Sequence, residues 1–446
     1  MSQFSDAKAI VIGGGIAGLL ASRVLLDHFE RVLLLEKDQL SDEPELRPGV
    51  VQAPHLHGLL VQGYRILEDL FPSITDDLTA RGARVMDCLG DWQYLTALGW
   101  LPQFPSGLKS LICSRMLLEW YLRQQLMKQQ RFEVRSRLFA QSLCSTHAPT
   151  RISGIVCKNL DTHQVDTLTA HLIVDASGRS SRLPSWLAKL NCGSLQTTTV
   201  DAFIGYASRW YRRPPELNRT GLSILNSPGV NRRGGTIFPI EGDRFIISLS
   251  GFEKDYPSND EAEFLAFAKS LPHPVIYNTI CDSEPISPIY TYRGNRNYLR
   301  HYENIVMPAG IVALGNAVCG FNPKYGQGMT AAALGARTLA DCLARHPQAP
   351  NQAFSQQFQR HLAKTLKTPW STSIGQDLSW GQAEGKRPER PSWLAKQMNY
   401  YIDRVAQVAH SDPQVCRELI GISHLTTSPS AIFHPRILWK VFSLKT

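Results

Sequence analysis

The sequence contains no CxxC pair, no GxSxG, no HExxH, no P-loop and no zinc-finger spacing. These absences remove the hydrolase, metalloprotease and kinase chemistries built on those motifs. The nine cysteines, at 88, 113, 144, 157, 192, 281, 319, 342 and 416, are odd in number and irregularly spaced. That argues against a disulfide framework and against a zinc site. No uninterrupted apolar run of about 18 residues occurs, so no membrane-spanning helix is expected. The first apolar segment, Ala9 to Leu26, is broken by four glycines and followed by no cleavage-site pattern. It reads as folded structure and not as a signal peptide. A reduced, cytoplasmic location is the default expectation. No internal repeat is found.

What is present is ordinary globular composition. Of 446 residues, 43% are apolar and 19% charged, which excludes a disordered or fibrous chain. The length corresponds to about three domains. The net charge is +9, and residues 343–446 hold 13 basic against 6 acidic residues. Charge balance speaks to solubility before function, so this excess reads as a solvated face, with no nucleic-acid partner expected.

Lys8–Ile12 (KAIVI) is a β-branched run typical of a buried parallel strand. Gly13-Gly14-Gly15-Ile16-Ala17-Gly18 follows and fits GxGxxG; a helical stretch, Leu19–Leu26, and a second strand, Arg31–Glu36, come next. Gly13 permits the tight turn, Gly15 lets backbone approach a pyrophosphate, and Gly18 lets helix and strand pack closely. The helix N-terminus attracts the phosphate charge. Glu36 is placed to accept hydrogen bonds from ribose hydroxyls. The whole unit predicts an adenine dinucleotide, NAD or FAD.

Two further segments narrow the choice. Leu168–Asp175 is expected to be a strand, leading into Ala176-Ser177-Gly178-Arg179. Gly310–Leu314 is expected to be another, followed by Gly315-Asn316-Ala317-Val318-Cys319-Gly320-Phe321-Asn322-Pro323-Lys324-Tyr325-Gly326-Gln327-Gly328-Met329-Thr330 and a helix from Ala331 to Leu343. In this order the three motifs resemble the FAD-dependent monooxygenases of the aromatic-hydroxylase type. Arg47 to His57 (RPGVVQAPHLH), Ser114–Glu119 and Pro369–Asp377 resemble a bacterial branch that includes polyketide olefin epoxidases.

The resemblance implies an α/β fold: a Rossmann-like FAD domain of the glutathione-reductase type with an inserted mixed or antiparallel sheet and a helical C-terminal region. The corresponding segments are 1–195 and 301–345 for the FAD domain, 196–300 for the substrate sheet and 346–446 for the C-terminal region. It implies that Gly13, Gly14, Gly15, Ile16, Ala17, Gly18, Glu36 and Lys37 hold the ADP half of FAD. Arg47 and Arg115 approach the flavin side, Asp175 sits where dinucleotide and transient nicotinamide contacts meet, and Asn316 reaches the ribityl chain. Pro323, Gly326, Gln327, Gly328 and Met329 line the isoalloxazine. Arg47, His57, Pro323 and Tyr325 are the implied catalytic set. The implied reaction passes one oxygen atom of O2, through a flavin C4a-hydroperoxide, to an apolar or aromatic small molecule. NADPH or NADH, or a partner flavin reductase, supplies electrons, because no second GxGxxG unit exists. Asn316 stands where the family usually has Asp, and it keeps an acceptor for a ribityl hydroxyl.

Between the motifs, Val200–Tyr211, Gly221–Leu225, Gly235–Pro239 and Arg244–Gly251 read as strands, with Phe203, Tyr206 and Phe238 as candidate pocket walls. Lys324 is unusual for a position that the resemblance puts close to the flavin; its charge could aid anion stabilisation, but the preferred expectation is that it points to solvent, since lysine is rarely buried unpaired. His55 and His57 lack a third ligand at metal spacing, so no metal is expected. Ala353–Lys367 and Trp393–His410 read as amphipathic helices, Gly385–Pro391 as a charged loop, and Ile432–Leu444 as a packed helix in preference to a membrane-surface one, being short and broken by Pro435. The rival readings are a flavin dehydrogenase or prenyl reductase on the same scaffold and a noncatalytic FAD-binding protein, which Asn316 favours. A flavin halogenase is disfavoured because WxWxIP is absent.

Overall fold

Five strands lie parallel in the order Ile311–Ala313, Leu172–Asp175, Phe4–Ile12, Phe29–Leu35 and Phe132–Arg135. The computed structural model describes residues 4–146, 151–213, 221–294, 296–346, 350–386 and 392–443. Ile10 sits between Leu33 and Ile173 in register. These strands are covered on both faces, which is why they read as continuous apolar runs. Helix Ile16–Leu25 packs against helix Gln327–Ala344. The second helix manages this with small residues: Ala332, Ala333 and Ala336 are buried in the same core as Leu19, Leu20 and Val24.

A seven-stranded sheet forms the second layer. Its order is Tyr290–Arg293, Gly205–Arg212, Arg244–Gly251, Arg233–Ile240, Gly221–Ile224, Trp92–Thr96 and Gly99–Trp100. Alternation divides its side chains. Ala207, Tyr211, Ile237, Phe245, Ile247 and Leu249 pack in one core with residues of helices Glu261–Lys269 and Val275–Ile280. Tyr206, Ser248, Ser250 and Phe238 belong to the opposite face and line a cavity.

Three differences from the sequence reading stand out. Residues 92–100, which fall in the segment expected to begin the FAD domain, supply two strands to the seven-stranded sheet, with Trp92–Thr96 running parallel to Gly221–Ile224. Val200–Tyr211 is two strands. Thr197–Asp201 joins a separate four-stranded sheet, and the chain turns at Phe203 (φ 51°), whose N–H donates to Asp201 Oδ1 at 2.8 Å, before Gly205–Arg212 begins. Leu168–Asp175 is likewise divided between hairpin strand Val165–Thr169 and parallel strand Leu172–Asp175.

At the C-terminal side, helix Gln352–Asp377 extends beyond the expected Ala353–Lys367 and contains Pro369. Helices Ser392–Ala409, Pro413–Ser423 and Pro435–Ser443 follow. The last buries Ile437 and Val441 in a small core with Val405, Val408, Val415 and Leu89, while Trp439 and Phe442 are exposed. Of the expected charged loop, residues 387–391 lie outside the described residues. No helix among the described residues is long and apolar enough to cross a membrane.

Candidate functional site

The glycine turn lies between the parallel strand Phe4–Ile12 and helix Ile16–Leu25. Gly13 has φ +102°, which favours glycine. A Cβ on Gly18 would fall 1.8 Å from the Gly13 carbonyl oxygen, so only glycine allows this approach of helix to turn. Gly15 differs. A Cβ there would meet only the Arg115 guanidinium, at 3.8 Å. Ile16 is buried in the core, and Ala17 abuts Gly315 at the end of strand Ile311–Ala313. The turn thus has one closed side and one open side, and Arg115 stands on the open side.

Around it lies a buried ion cluster. Glu36 Oε2 accepts the Gly14 N–H at 2.7 Å, and Oε1 accepts the Asp38 N–H at 3.0 Å. Arg47 pairs with Glu36 at 3.0 Å, Asp38 at 2.9 Å and Glu119 at 2.7 Å, and Arg115 pairs with Glu119 at 2.8 Å. Burial opposes the charge on Arg47, but Glu119, Glu36 and Asp38 outweigh it and raise its pKa. Burial likewise opposes the Glu119 charge, and Arg115 and Arg47 reverse the effect and lower its pKa. A cavity of about 530 Å³ opens beside the cluster, lined by Lys37, Asp38, Arg47, Arg115 and Arg123 among others. A carboxylate offers about four acceptor sites, so Glu36, with three contacts made, has one left.

Strand Leu172–Asp175 ends in a closed turn. Asp175 accepts from the Ser177 N–H at 3.0 Å and from the hydroxyls of Ser177 and Ser181 at 2.5 Å each, and burial raises its pKa. Its polar atoms face this turn. Asn316 is half-buried; its carbonyl accepts from Tyr298 Oη at 2.5 Å, while no protein partner to its side-chain amide is found among the described residues.

The loop ahead of helix Gln327–Ala344 is held from behind. Asp377, from the end of helix Gln352–Asp377, accepts the Tyr325 hydroxyl at 2.6 Å and the Asn322 amide at 2.9 Å on Oδ1, and the Asn297 amide at 2.5 Å on Oδ2. Asn297 Oδ1 accepts the Asn322 N–H at 2.7 Å and the Ser373 hydroxyl at 2.8 Å. Tyr206 donates to Asn322 Oδ1 at 2.9 Å. Burial lifts the Asp377 carboxyl to about 6. Gly326, at φ +65°, starts the helix, and the following first-turn N–H groups have no helical acceptor. A Cβ on Gly328 would meet nothing within 4 Å.

That helix N-terminus faces a cavity of about 440 Å³ between the loop and the seven-stranded sheet. His57, Pro323, Tyr325, Gly326 and Gln327 line it, with Trp92, Phe238, Phe252, Tyr292 and Trp380 as aromatic wall. His57 Nδ1 lies 2.8 Å from the His55 carbonyl, which can only accept. The neutral ring therefore carries its proton on Nδ1 and leaves Nε2 as an acceptor. Burial, with the Arg115 guanidinium adding to it, drives the His57 pKa down to about 3, and burial drives His55 to about 4. His55 Nδ1 is 2.9 Å from Ser208 Oγ, while His55 Nε2 and Gln327 Oε1 are buried with no hydrogen-bond partner among the described residues.

The structure brings His57, Pro323 and Tyr325 together and leaves Arg47 at the other cavity, among three carboxylates. The Tyr325 hydroxyl donates to Asp377, which makes Tyr325 a positioning residue for the loop. Met329 is buried just inside the helix. Phe238 and Tyr206 line the cavity; Phe203 does not, because it forms the turn before Gly205–Arg212, with Lys254 Nζ 4.6 Å from its ring. Lys324 is half-buried in the cavity wall and not directed at solvent: Asn322 and Tyr325 are both tied to Asp377, and Lys324 Nζ reaches Ser250 Oγ at 3.4 Å. Among the described residues no cluster could hold a metal ion. Sequence reasoning missed Asp377 as the brace. Its one signal is that it is the only carboxylate in a 26-residue helix.

No family profile matches the chain. Protein Rv3254 of Mycobacterium tuberculosis (strain ATCC 25618 / H37Rv) is 28% identical over 414 residues, covering 91% of this chain and 86% of that one. The flavin-dependent brominase Bmp2 superposes with a TM-score of 0.65 at 14% identity, over 98% of this chain and 100% of its own. The p-nitrophenol 4-monooxygenase PnpA of Pseudomonas putida DLL-E4 gives 0.66 at 15% identity, over 94% and 98%. At such identities the likeness is one of fold: a parallel sheet with several further sheets, in the arrangement found in flavin-dependent monooxygenases and halogenases.

Proposed function

We propose that this chain is an FAD-dependent monooxygenase that places one oxygen atom of O2 into an apolar or aromatic small molecule by hydroxylation or epoxidation. The observation that carries the reading is the pairing of an open glycine turn beside Arg115 with a second cavity at the N-terminus of helix Gln327–Ala344, where His55 Nε2 and Gln327 Oε1 are buried without partners among the described residues. The residues fit the cofactor. Gly15 and the helix N-terminus behind it suit a pyrophosphate. Glu36 retains one acceptor site for a ribose hydroxyl, and Asn316 has a free amide for the ribityl chain.

When bound, the flavin accepts two electrons and supplies the oxygen chemistry. The protein's share is placement and electrostatics. First-turn N–H groups after Gly326 stabilise negative charge at the cavity edge. Asp377 fixes that edge through Tyr325 and Asn322. His57 is held neutral with Nε2 as acceptor. Trp92, Phe238, Phe252 and Trp380 keep water away from the reacting atoms. Halogenases share the fold, but nothing among the site residues favours halide chemistry. Electrons come from transient NADPH or NADH or from a separate reductase.

The test has two steps. Denatured protein should release free FAD; a colourless protein that cannot be reconstituted refutes the cofactor assignment. With reductant and substrate under 18O2, product mass should rise by one labelled oxygen. Full turnover without oxygen would place the chain among flavin dehydrogenases instead.

A further inference from the structure

We propose that the substrate is an organic acid: an aromatic or otherwise apolar body bearing one anionic oxygen group, carboxylate or phenolate, that docks on Lys324. The proposal rests on the reading of the 440 Å³ cavity as the substrate site and adds the substrate's charge to it.

The first ground is charge. Among the described residues lining the cavity there is no aspartate or glutamate, and Lys324 is the only lysine or arginine. No carboxylate forms an ion pair with Lys324 among the described residues. An ammonium set half-buried in an apolar cavity wall without a counter-charge carries a desolvation cost, and an anion entering the cavity offsets it. Burial alone already lowers the pKa of this amine to about 8.

The second ground is placement. Ser250 donates its hydroxyl proton to Asn226 Oδ1 at 3.0 Å, so it presents a lone pair to Lys324 Nζ at 3.4 Å. The Asn226 amide is itself oriented, donating to the carbonyls of Arg232 at 2.7 Å and Ser250 at 3.2 Å. One of the three ammonium protons is therefore directed to the sheet and two remain for a ligand. On the other side, the backbone of Lys324 is fixed, because its N–H donates to Asn322 Oδ1 at 3.0 Å and Asn322 is bound to Asp377. The ammonium is thus anchored from both ends within an aromatic enclosure that includes Phe252 stacked on Trp380 at 4.1 Å. An apolar body fills the enclosure and its acidic oxygen meets the charge. The three histidines lining the cavity, His55, His57 and His424, are all held neutral by burial, so none duplicates this role.

The experiment uses full-length protein whose FAD content is measured first by release on denaturation. Binding of 2-naphthoate and of its neutral isostere 2-naphthamide is measured by titration calorimetry on wild type, Lys324→Gln and Lys324→Arg. Wild type should prefer the acid over the amide by at least about tenfold. Lys324→Gln should weaken naphthoate by about tenfold to a hundredfold, as expected for one charge-assisted hydrogen bond in a buried site, and leave naphthamide within about threefold. Lys324→Arg should retain part of the preference, which separates a charge effect from a general disturbance. Equal affinity for acid and amide in wild type, an acid preference that survives in Lys324→Gln, or no binding of either probe overturns the proposal. Absence of FAD together with a Lys324-dependent acid preference would refute the flavin reading and leave the acid site standing.

Discussion

Gly15→Ala and Gly18→Ala separate cofactor contact from fold. At Gly18 the new methyl would lie 1.8 Å from the Gly13 carbonyl oxygen, about half of an ordinary contact of roughly 3.5 Å. The obstacle is backbone, so helix Ile16–Leu25 must move off the strand it covers. Overpacking of this kind costs about 1–3 kcal/mol and at times more, and ~3 kcal/mol is expected here because neither side can rotate away. At about 2.1 cal/mol/K of unfolding entropy per residue, a chain of 446 residues shifts by roughly 1 °C per kcal/mol, so the melting temperature should fall by about 3 °C. At Gly15, φ is −77° and ψ 179°, a conformation alanine adopts freely, and its Cβ would stand 3.8 Å from the nearest protein atom. The gain from a stiffer unfolded chain, about 0.4–1 kcal/mol, and the poorer helix cap, a few tenths or more, nearly cancel. Gly15→Ala should therefore melt within about 1 °C of wild type yet bind FAD at least about tenfold more weakly, a loss of ~1.4 kcal/mol, because the methyl occupies the open side of the turn. Scanning calorimetry and flavin fluorescence titration on the three proteins decide the matter. Wild-type FAD affinity in Gly15→Ala would show that no phosphate passes over Gly15. An unshifted melting temperature in Gly18→Ala would show that the helix yields at little cost.

Glu36→Ala should lower FAD affinity by roughly tenfold to a hundredfold, for a charge-assisted bond of about 1.5–3 kcal/mol. It should also lower the melting temperature, because Gly14, Asp38 and Arg47 lose a buried partner; unchanged values of both would remove Glu36 from turn and site alike. Asn316→Asp should keep FAD affinity within about tenfold, or ~1.4 kcal/mol, and lower the flavin reduction potential through added negative charge, whereas Asn316→Leu should bind FAD less well; a Leu variant that binds as wild type does would mean that residue 316 does not touch the cofactor. Asp377 holds its proton to about 6 when folded, against 3.8 ordinarily. Protonation therefore favours the folded state between those values, and this group's contribution falls as pH rises through the window, by at most ~3 kcal/mol at ~1.36 kcal/mol per pH unit. Urea midpoints at pH 4 and pH 7 should show this decline in the difference between wild type and Asp377→Asn; a constant difference would contradict it.

The fold of the glycine turn was legible because its determinants are local. Strand, glycines, helix and Glu36 all fall within residues 8–36, and each residue type meets a steric or electrostatic demand of its neighbours. Two features were not legible because they depend on partners distant in sequence. Trp92–Thr96 has ordinary strand composition, and nothing in it names Gly221–Ile224 as its partner. Asp377 looks like a solvated helix end until Asn297, Asn322 and Tyr325 arrive around it. The expectation for Lys324 failed for the same reason, since lysine is a surface residue by default and the loop around it is set by the Asp377 brace. The divided segments at Phe203 and between Thr169 and Leu172 show a further limit: an apolar run reports burial, and two sheets bury residues as well as one.

The brace also bears on how the protein is made. The glycine turn emerges from the ribosome among the first 18 residues, but its sheet gains the strand Ile311–Ala313 much later, and the cavity loop is held only once Asp377 has been synthesised. At about 5–20 residues per second, roughly 20–70 s separate the turn from its brace. For about 7–28 s of that interval strand Leu172–Asp175 has an open edge where Ile311–Ala313 will pair, and an open edge of this kind invites pairing with other chains. A nascent chain stopped before residue 377 would carry the glycine turn and lack the clasp on the cavity loop. Closure of the cavity loop therefore belongs after synthesis of residue 377, and slower translation through residues 311–377 would lengthen the vulnerable period without altering a single contact of the finished protein.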